Sequence, residues 1–157
     1  MAQEIEKKFL VKEGTNIDAL GEAVEITQGY LSSVKERTVR VRIKGKKGFL
    51  TIKGIGNSSG ASRYEFEKDI SIEEAKELLA ICEQPILSKT RTNVNVGKHT
   101  FEVDRFLLEN EGLVVAEIEL SDENEAFEKP AWLGKEVTGD VKYYNSMLLK
   151  NPFKNWK

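Results

Sequence analysis

Charged side chains recur on every second residue in stretch after stretch of this chain, with apolar groups between them. A period of two belongs to the β-strand, whose successive side chains point to opposite faces. Glu4, Glu6 and Lys8 share one face of the first stretch, and Arg40 and Arg42 oppose Val39, Val41 and Ile43 in the next. Thr51 and Lys53 oppose Leu50 and Ile52; Arg63, Glu65 and Glu67 oppose Tyr64 and Phe66; Lys89 and Arg91 share a face after Leu87. Glu102 and Asp104 then oppose Phe101 and Val103, and Glu117 and Glu119 oppose Ala116, Ile118 and Leu120. Alternation alone fits any half-buried antiparallel sheet with one solvated face. The kind of charge is more restrictive. Arg-x-Arg, Glu-x-Glu and Lys-x-Arg place like charges about 7 Å apart on one face, where they repel unless opposite strands, a polyion or metals lie between them. Strands of this kind point to a ligand site.

Length and charge bound the alternatives. A chain of 157 residues is expected to form one domain, residues 1–157. Lys plus Arg number 24 against 26 Asp plus Glu, a net charge of -2, so no global basic field recruits nucleic acid and any affinity for anions must be local. A single cysteine, Cys82, allows no intramolecular disulfide, and the start of the chain carries Gln3, Glu4 and Glu6 in place of an apolar signal region. A cytoplasmic protein is expected. No apolar run approaches the roughly 18 residues of a spanning helix. An outer-membrane barrel would need an export signal and aromatic girdles, which are not found.

Turn signals divide the chain into strands at Val24 to Ser33, Thr38 to Lys44, Phe49 to Lys53, Ile86 to Val96 and Thr100 to Leu107. Gly45-Lys46-Lys47-Gly48 and Val96-Gly97-Lys98-His99 read as hairpin turns. The Gly/Ser-rich stretch from Gly54 to Ser62 lacks a following Gly-Lys-Ser/Thr and precedes a strand, so a mobile hairpin loop is expected rather than a phosphate-binding loop. Ile72 to Cys82 is the strongest helix. Ser71 and Glu74 form a capping box, and Ile72, Ala75, Leu78, Leu79 and Cys82 make its apolar stripe, which places Cys82 in the core. Shorter helices are expected near Asp122 to Glu128 and from Tyr144 to Leu149, with His99 at the surface.

Strands whose polar faces point together can close into a barrel with a charged interior and an apolar outside covered by helices. The expected interior holds Lys8, Arg40, Arg42, Lys53, Arg63, Lys89 and Arg91, with Glu4, Glu6, Glu65, Glu67, Glu102, Asp104, Glu117 and Glu119. Unpaired, such charges would cost several kcal/mol each, comparable to the stability of a whole domain. The cations suit a polyanion and the carboxylates suit metals. Carboxylate oxygens favour Mg²⁺ or Mn²⁺, and the chain has no Cys/His cluster for zinc. Such a metal amid Arg and Lys is the usual setting of phosphoryl chemistry.

The Glu-x-Glu-x-Lys of Glu4, Glu6 and Lys8 resembles the signature of the CYTH superfamily, the triphosphate tunnel metalloenzymes. Further features follow in that family's order: Gln28-Gly29-Tyr30-Leu31, Arg40-x-Arg42, Leu50-Thr51-Ile52-Lys53, Arg63-x-Glu65-x-Glu67, Lys89-x-Arg91, Glu102-x-Asp104, Glu117-x-Glu119 and Glu136-Val137-Thr138. The resemblance spans nearly the whole chain and is nearest to the small bacterial single-domain members. It implies a mainly β fold, a closed eight-stranded antiparallel β-barrel with a few flanking helices, and hydrolysis of inorganic tripolyphosphate with two ions of Mg²⁺ or Mn²⁺. By resemblance, Glu4, Glu6, Glu117 and Glu119, with Asp104, hold metal; Arg40, Arg42, Lys53, Lys89, Arg91 and Lys142 clamp the triphosphate. Lys8 and Tyr30 then flank the attacked phosphorus, although core packing competes as the reading of Tyr30. Arg63, Glu65, Glu67 and Glu102 are supporting residues, and two chains are implied to associate through an outer barrel face. Competing readings are a class IV type adenylyl cyclase, a thiamine triphosphatase and a non-catalytic polyphosphate or nucleotide sensor. A lipocalin-like carrier is disfavoured, because its interior should be apolar.

Overall fold

The computed structural model describes residues 3–59 and 61–156, with Gln3 described by its backbone alone. Its strands are β1 (Gln3–Val11), β2 (Ala23–Ser32), β3 (Arg37–Lys44), β4 (Lys47–Gly56), β5 (Ser62–Ile70), β6 (Leu87–Val96), β7 (His99–Phe106), β8 (Val114–Glu119) and β9 (Leu133–Glu136). Two α-helices accompany them among the described residues, α1 (Ile72–Ala80) and α2 (Asn145–Lys150). The sheet runs β5-β4-β3-β2-β6-β7-β8-β1, and β1 pairs back onto β5, closing an antiparallel barrel of eight strands. Strand β1 closes it with Gln3 to Ile5 against β5 and Glu6 to Leu10 against β8, while Phe9 and Val11 take β9 outside the closed ring. No helix among the described residues is long and apolar enough to cross a membrane.

Local chemistry explains the joints. The β3–β4 and β6–β7 hairpins each turn on two residues, with Gly45 (φ 59°) and Gly97 (φ 62°) in the left-handed region that a primed turn requires. The capping box of α1 forms as expected: Ser71 Oγ accepts from the Glu74 N–H at 3.0 Å, and Glu74 accepts from the Ser71 N–H at 2.9 Å. Helix α1 lays Ala75, Leu79 and nearby Cys82 on the outer face of β2 to β4, against Val41, Ile43 and Leu50. Cys82 is therefore core, as expected. It packs so closely on Gly29 that a Cβ there would lie 2.9 Å from the Cys82 Cβ.

The apolar core lies mainly outside the barrel. A second layer joins the outward Phe9, Phe101, Val103, Ala116 and Ile118 to Ile17 and to Leu120, Phe127, Trp132 and Leu133 of the segment after β8. A third cluster, Leu87, Phe106 and Val115 with Leu10, meets Tyr143 and Leu148 of the C-terminal segment. These strand residues share parity with Lys8, Lys89, Asp104 and Glu117, so they continue the inward faces and plug one end of the tunnel.

Three local expectations change. Residues 122–128 are not helical but form bends and turns, because their carboxylates bond elsewhere: Glu123 accepts from Asn57 and Ser59, and Glu125 from Ser121 and His99. His99 is accordingly held against Glu125 at 2.6 Å and edge-on to Phe127 rather than lying free at the surface. The Gly/Ser-rich loop is shorter than expected, since β4 runs on to Gly56, and the same Glu123 bonds tether it.

Candidate active site

The inward faces surround a cavity of about 280 Å³. Its lining brings together Glu4, Glu6, Lys8, Tyr30, Arg40, Arg42, Lys53, Arg63, Glu65, Glu67, Lys89, Arg91, Glu102, Glu117 and Glu119, all expected from the sequence. Strand parity places them there. Arg40 and Arg42 come from β3, Lys89 and Arg91 from β6, Glu117 and Glu119 from β8, and Glu4, Glu6 and Lys8 from β1.

Two expected residues lie elsewhere. Asp104 is fully buried behind the wall, where its carboxylate accepts from Arg91 Nε (2.7 Å) and Nη2 (2.8 Å) and pairs with Lys89 Nζ (2.7 Å). Both its oxygens are engaged by cations, an arrangement that makes it their counter-ion here and sets it apart from the carboxylates of the lining. Lys142 is absent from the lining; its ammonium stands 4.7 Å above the Trp156 ring, outside the tunnel. A lysine on the 3₁₀ turn Val141–Tyr143 has no strand parity to direct it inward.

The remaining cations are held at their stems or edges. Lys53 Nζ bonds Glu4 at 2.8 Å and lies 3.4 Å from Glu65; Arg40 Nη2 donates to Thr51 Oγ1 at 3.2 Å, and Thr51 in turn donates to Glu67. Arg91 Nη1 reaches Glu102 at 3.2 Å, and Arg63 Nε lies 3.8 Å from Glu4. Arg40 Nε is buried with no hydrogen-bond partner among the described residues. A buried orphan donor costs about 1–3 kcal/mol unless a ligand satisfies it. Lys8 Nζ donates to the Tyr143 carbonyl at 3.2 Å and sits 5.5 Å from the Tyr144 ring, while the Tyr30 hydroxyl accepts from Gln28 at 3.4 Å. Among the described residues, no direct hydrogen bond joins Lys8 to Tyr30.

Lys44, next in parity after Arg42, also lines the cavity, and neutral residues that charge patterning does not reveal complete the wall: Thr38, Phe49, Thr51, Thr138, Gly139, Tyr144, Asn145 and Ser146. Asn145 opens α2 and bonds Lys89 Nζ at 2.8 Å, so the C-terminal segment contributes to the site as well as plugging the barrel. Gln28 lies just behind, fully buried, within the Gln-Gly-Tyr-Leu motif.

Crowded charges shift one another. Burial, then Glu117 beside it, pushes the Glu6 carboxyl up to about 8. Burial likewise raises Glu4 and Glu119. For Glu117 burial also acts upward, but Lys8, the hydrogen bond with Glu6 and the nearby Arg91 and Lys89 outweigh it and hold this carboxylate well below its usual range. Within this pair Glu6 is the member whose protonated form is favoured and Glu117 the one whose charge is favoured. Burial, with Arg40 and Arg91 close by, lowers Arg42 to about 9, and burial lowers Lys89 to about 7 against the pull of Asp104. Groups shifted by burial and by specific charged neighbours cluster at functional sites.

The carboxylate wall fits a hard divalent cation by the chemistry of its donors. Glu4, Glu6, Glu117 and Glu119 offer only oxygens, and Glu6 pairs directly across from Glu119. Lys53 offsets part of their charge, and no three acidic side chains among the described residues converge as a complete ligand set. A bound cation would take over the role of that ammonium.

A family model for the CYTH domain matches residues 2–145. The chain belongs to the CYTH family. Across its full length it is 51% identical to a protein of Acetivibrio thermocellus named inorganic triphosphatase, covering 99% of that protein. A Nitrosomonas europaea protein of the same name is 36% identical over 92% of this CYTH chain and 95% of its own length. Among solved structures, a crystal structure of an inorganic triphosphatase superposes with a TM-score of 0.63 at 33% identity, covering 93% of this chain and 97% of the other.

Proposed function

We propose that this chain hydrolyses a linear triphosphate, inorganic tripolyphosphate above others, to pyrophosphate and orthophosphate. One observation carries the reading: eight basic side chains line a single cavity together with seven carboxylates, and one of them, Arg40, has a buried Nε with no hydrogen-bond partner among the described residues. Triphosphate charge is matched by Lys53, Arg40, Arg42, Lys89 and Arg91, several held rigidly by carboxylates and amides so that little reorganisation accompanies the reaction. The names of the relatives support the same substrate class. Aromatic groups in the lining are only Tyr30, Phe49 and Tyr144, spread over three elements, a poor slot for a nucleobase.

In the proposed reaction a water oxygen attacks the terminal phosphorus in line, and the bond from that phosphorus to the bridging oxygen breaks. The bridging oxygen leaves with the bonding pair on pyrophosphate. Lys8, steadied by the Tyr143 carbonyl, orients the water, with Tyr30 beside it on the opposite wall. Glu4, Glu6, Glu117 and Glu119 would hold two ions of Mg²⁺ or Mn²⁺, which when bound neutralise phosphate charge and make water a better nucleophile. Asp104 keeps Lys89 and Arg91 in place.

Phosphate release from tripolyphosphate, ATP and thiamine triphosphate, with Mg²⁺, Mn²⁺ or EDTA, tests the reading. Metal-dependent release is expected, greatest with tripolyphosphate, and Arg40→Ala or Glu119→Gln should lower turnover about 100-fold or more. Folded variants that each keep more than a tenth of the activity would overturn the assignment, and cyclic AMP with pyrophosphate from ATP would make the protein a cyclase.

A further inference from the structure

We propose that Asn145 is a positioning residue of the anion clamp, one that sets the cations of two strands through a single neutral oxygen; the proposal rests on the triphosphate reading of the tunnel. Asn145 Oδ1 accepts from Lys89 Nζ at 2.8 Å and from Gln28 Nε2 at 3.3 Å. Gln28 turns its own carbonyl to Arg42, accepting from Nε at 2.9 Å. One amide oxygen therefore reaches Lys89 of β6 directly and Arg42 of β3 through Gln28 of β2. Two of its members are fully buried, Gln28 at 0% exposed and Lys89 at 1%, while Asn145 itself is half-buried where it lines the cavity.

Each link answers a specific difficulty. An ammonium on a four-carbon stem has no preferred direction of its own, unlike a planar guanidinium. Asp104 fixes one side of the Lys89 ammonium at 2.7 Å, and Asn145 provides a second fixed acceptor. Arg42, Arg91 and Lys89 crowd one another, so they need acceptors to hold them. A further carboxylate would do this but would repel the phosphates, whereas an amide oxygen holds the cations and leaves their charge for the substrate. Asn145 comes from the C-terminal segment and not from a barrel strand, so the plug also tunes the clamp.

The test combines kinetics, tripolyphosphate binding by calorimetry and thermal melting on the full chain. Asn145→Ala, and Asn145→Ser should the first fold poorly, is expected to lower kcat/KM and weaken tripolyphosphate binding at least tenfold while melting within a few degrees of the parent. Repeating the substitution in a Lys89→Met background separates positioning from packing. If Asn145 acts through Lys89, the second loss shrinks to less than about threefold, because neighbours in one network are not additive. An unchanged affinity in Asn145→Ala, or an equal loss with and without Lys89, would overturn the proposal. Should the parent bind tripolyphosphate without hydrolysing it, the functional reading fails while the binding comparison still judges Asn145.

Discussion

Asp104 shows how tightly single residues are committed here. Its carboxylate lies 2.7 Å from both Lys89 Nζ and Arg91 Nε; burial pushes it upward, but those two cations outweigh burial and hold it below its ordinary range. Removing one member of a buried ionic network strands the others. Asp104→Ala should therefore cost about 3–5 kcal/mol in urea denaturation, with turnover falling as Lys89 and Arg91 lose their orientation. Glu6 behaves in the opposite sense. Burial and the neighbouring Glu117 push its carboxyl from an ordinary 4.5 up to about 8, so between those limits the folded chain binds a proton that the unfolded chain has released. Stability from this residue is fully present below pH 4.5 and is lost as pH rises toward 8. In metal-free buffer, denaturation midpoints should fall from pH 5 to pH 7, and Glu6→Gln should flatten that fall; an unchanged slope would remove the buried proton from the account. Lys89, lowered to about 7, contributes its own slope only above that window.

At the scale of elements, what can be read ahead follows period. Strands whose alternate residues carry Arg40 and Arg42, or Glu117 and Glu119, announce both their conformation and their inner face, and the structure places those side chains in one cavity. Helix α1 announces itself through its cap and apolar stripe. Ser71→Ala should destabilise the protein by about 1 kcal/mol in thermal or urea unfolding and leave kcat intact, since the cap lies on the outside of the barrel. Elements without period are not legible. The four residues of β9 offer no pattern, and the strap after β8 has the polar residues of a helix start, yet its carboxylates serve partners distant in sequence. Asn145 and Gln28 escape notice for a related reason: a neutral amide carries no sign to match against a polyanion, and its value lies in what it orients. Lys142 misleads in reverse, a charge in the right region but on a turn that aims it at Trp156.

For the molecule as a whole, the apolar groups that usually fill a barrel are displaced to its outside and to one end. The plug is the most exposed weakness of that arrangement. Leu148 is fully buried against Leu87, Phe106 and Val115, so Leu148→Ala should cost about 2–5 kcal/mol and, by loosening the segment that carries Asn145, weaken triphosphate affinity, both measurable on one preparation by denaturation and calorimetry. Strand β1 adds a matter of timing. It precedes the other eight strands in chain order, yet its neighbours are β5, β8 and β9. Until residues beyond 115 have been made, one side of the Glu-x-Glu-x-Lys strand has nothing to pair with, and loops this long are slow to close. Until β8 is made, the segment bearing the signature carboxylates keeps one open edge, and an open strand edge invites pairing with another chain.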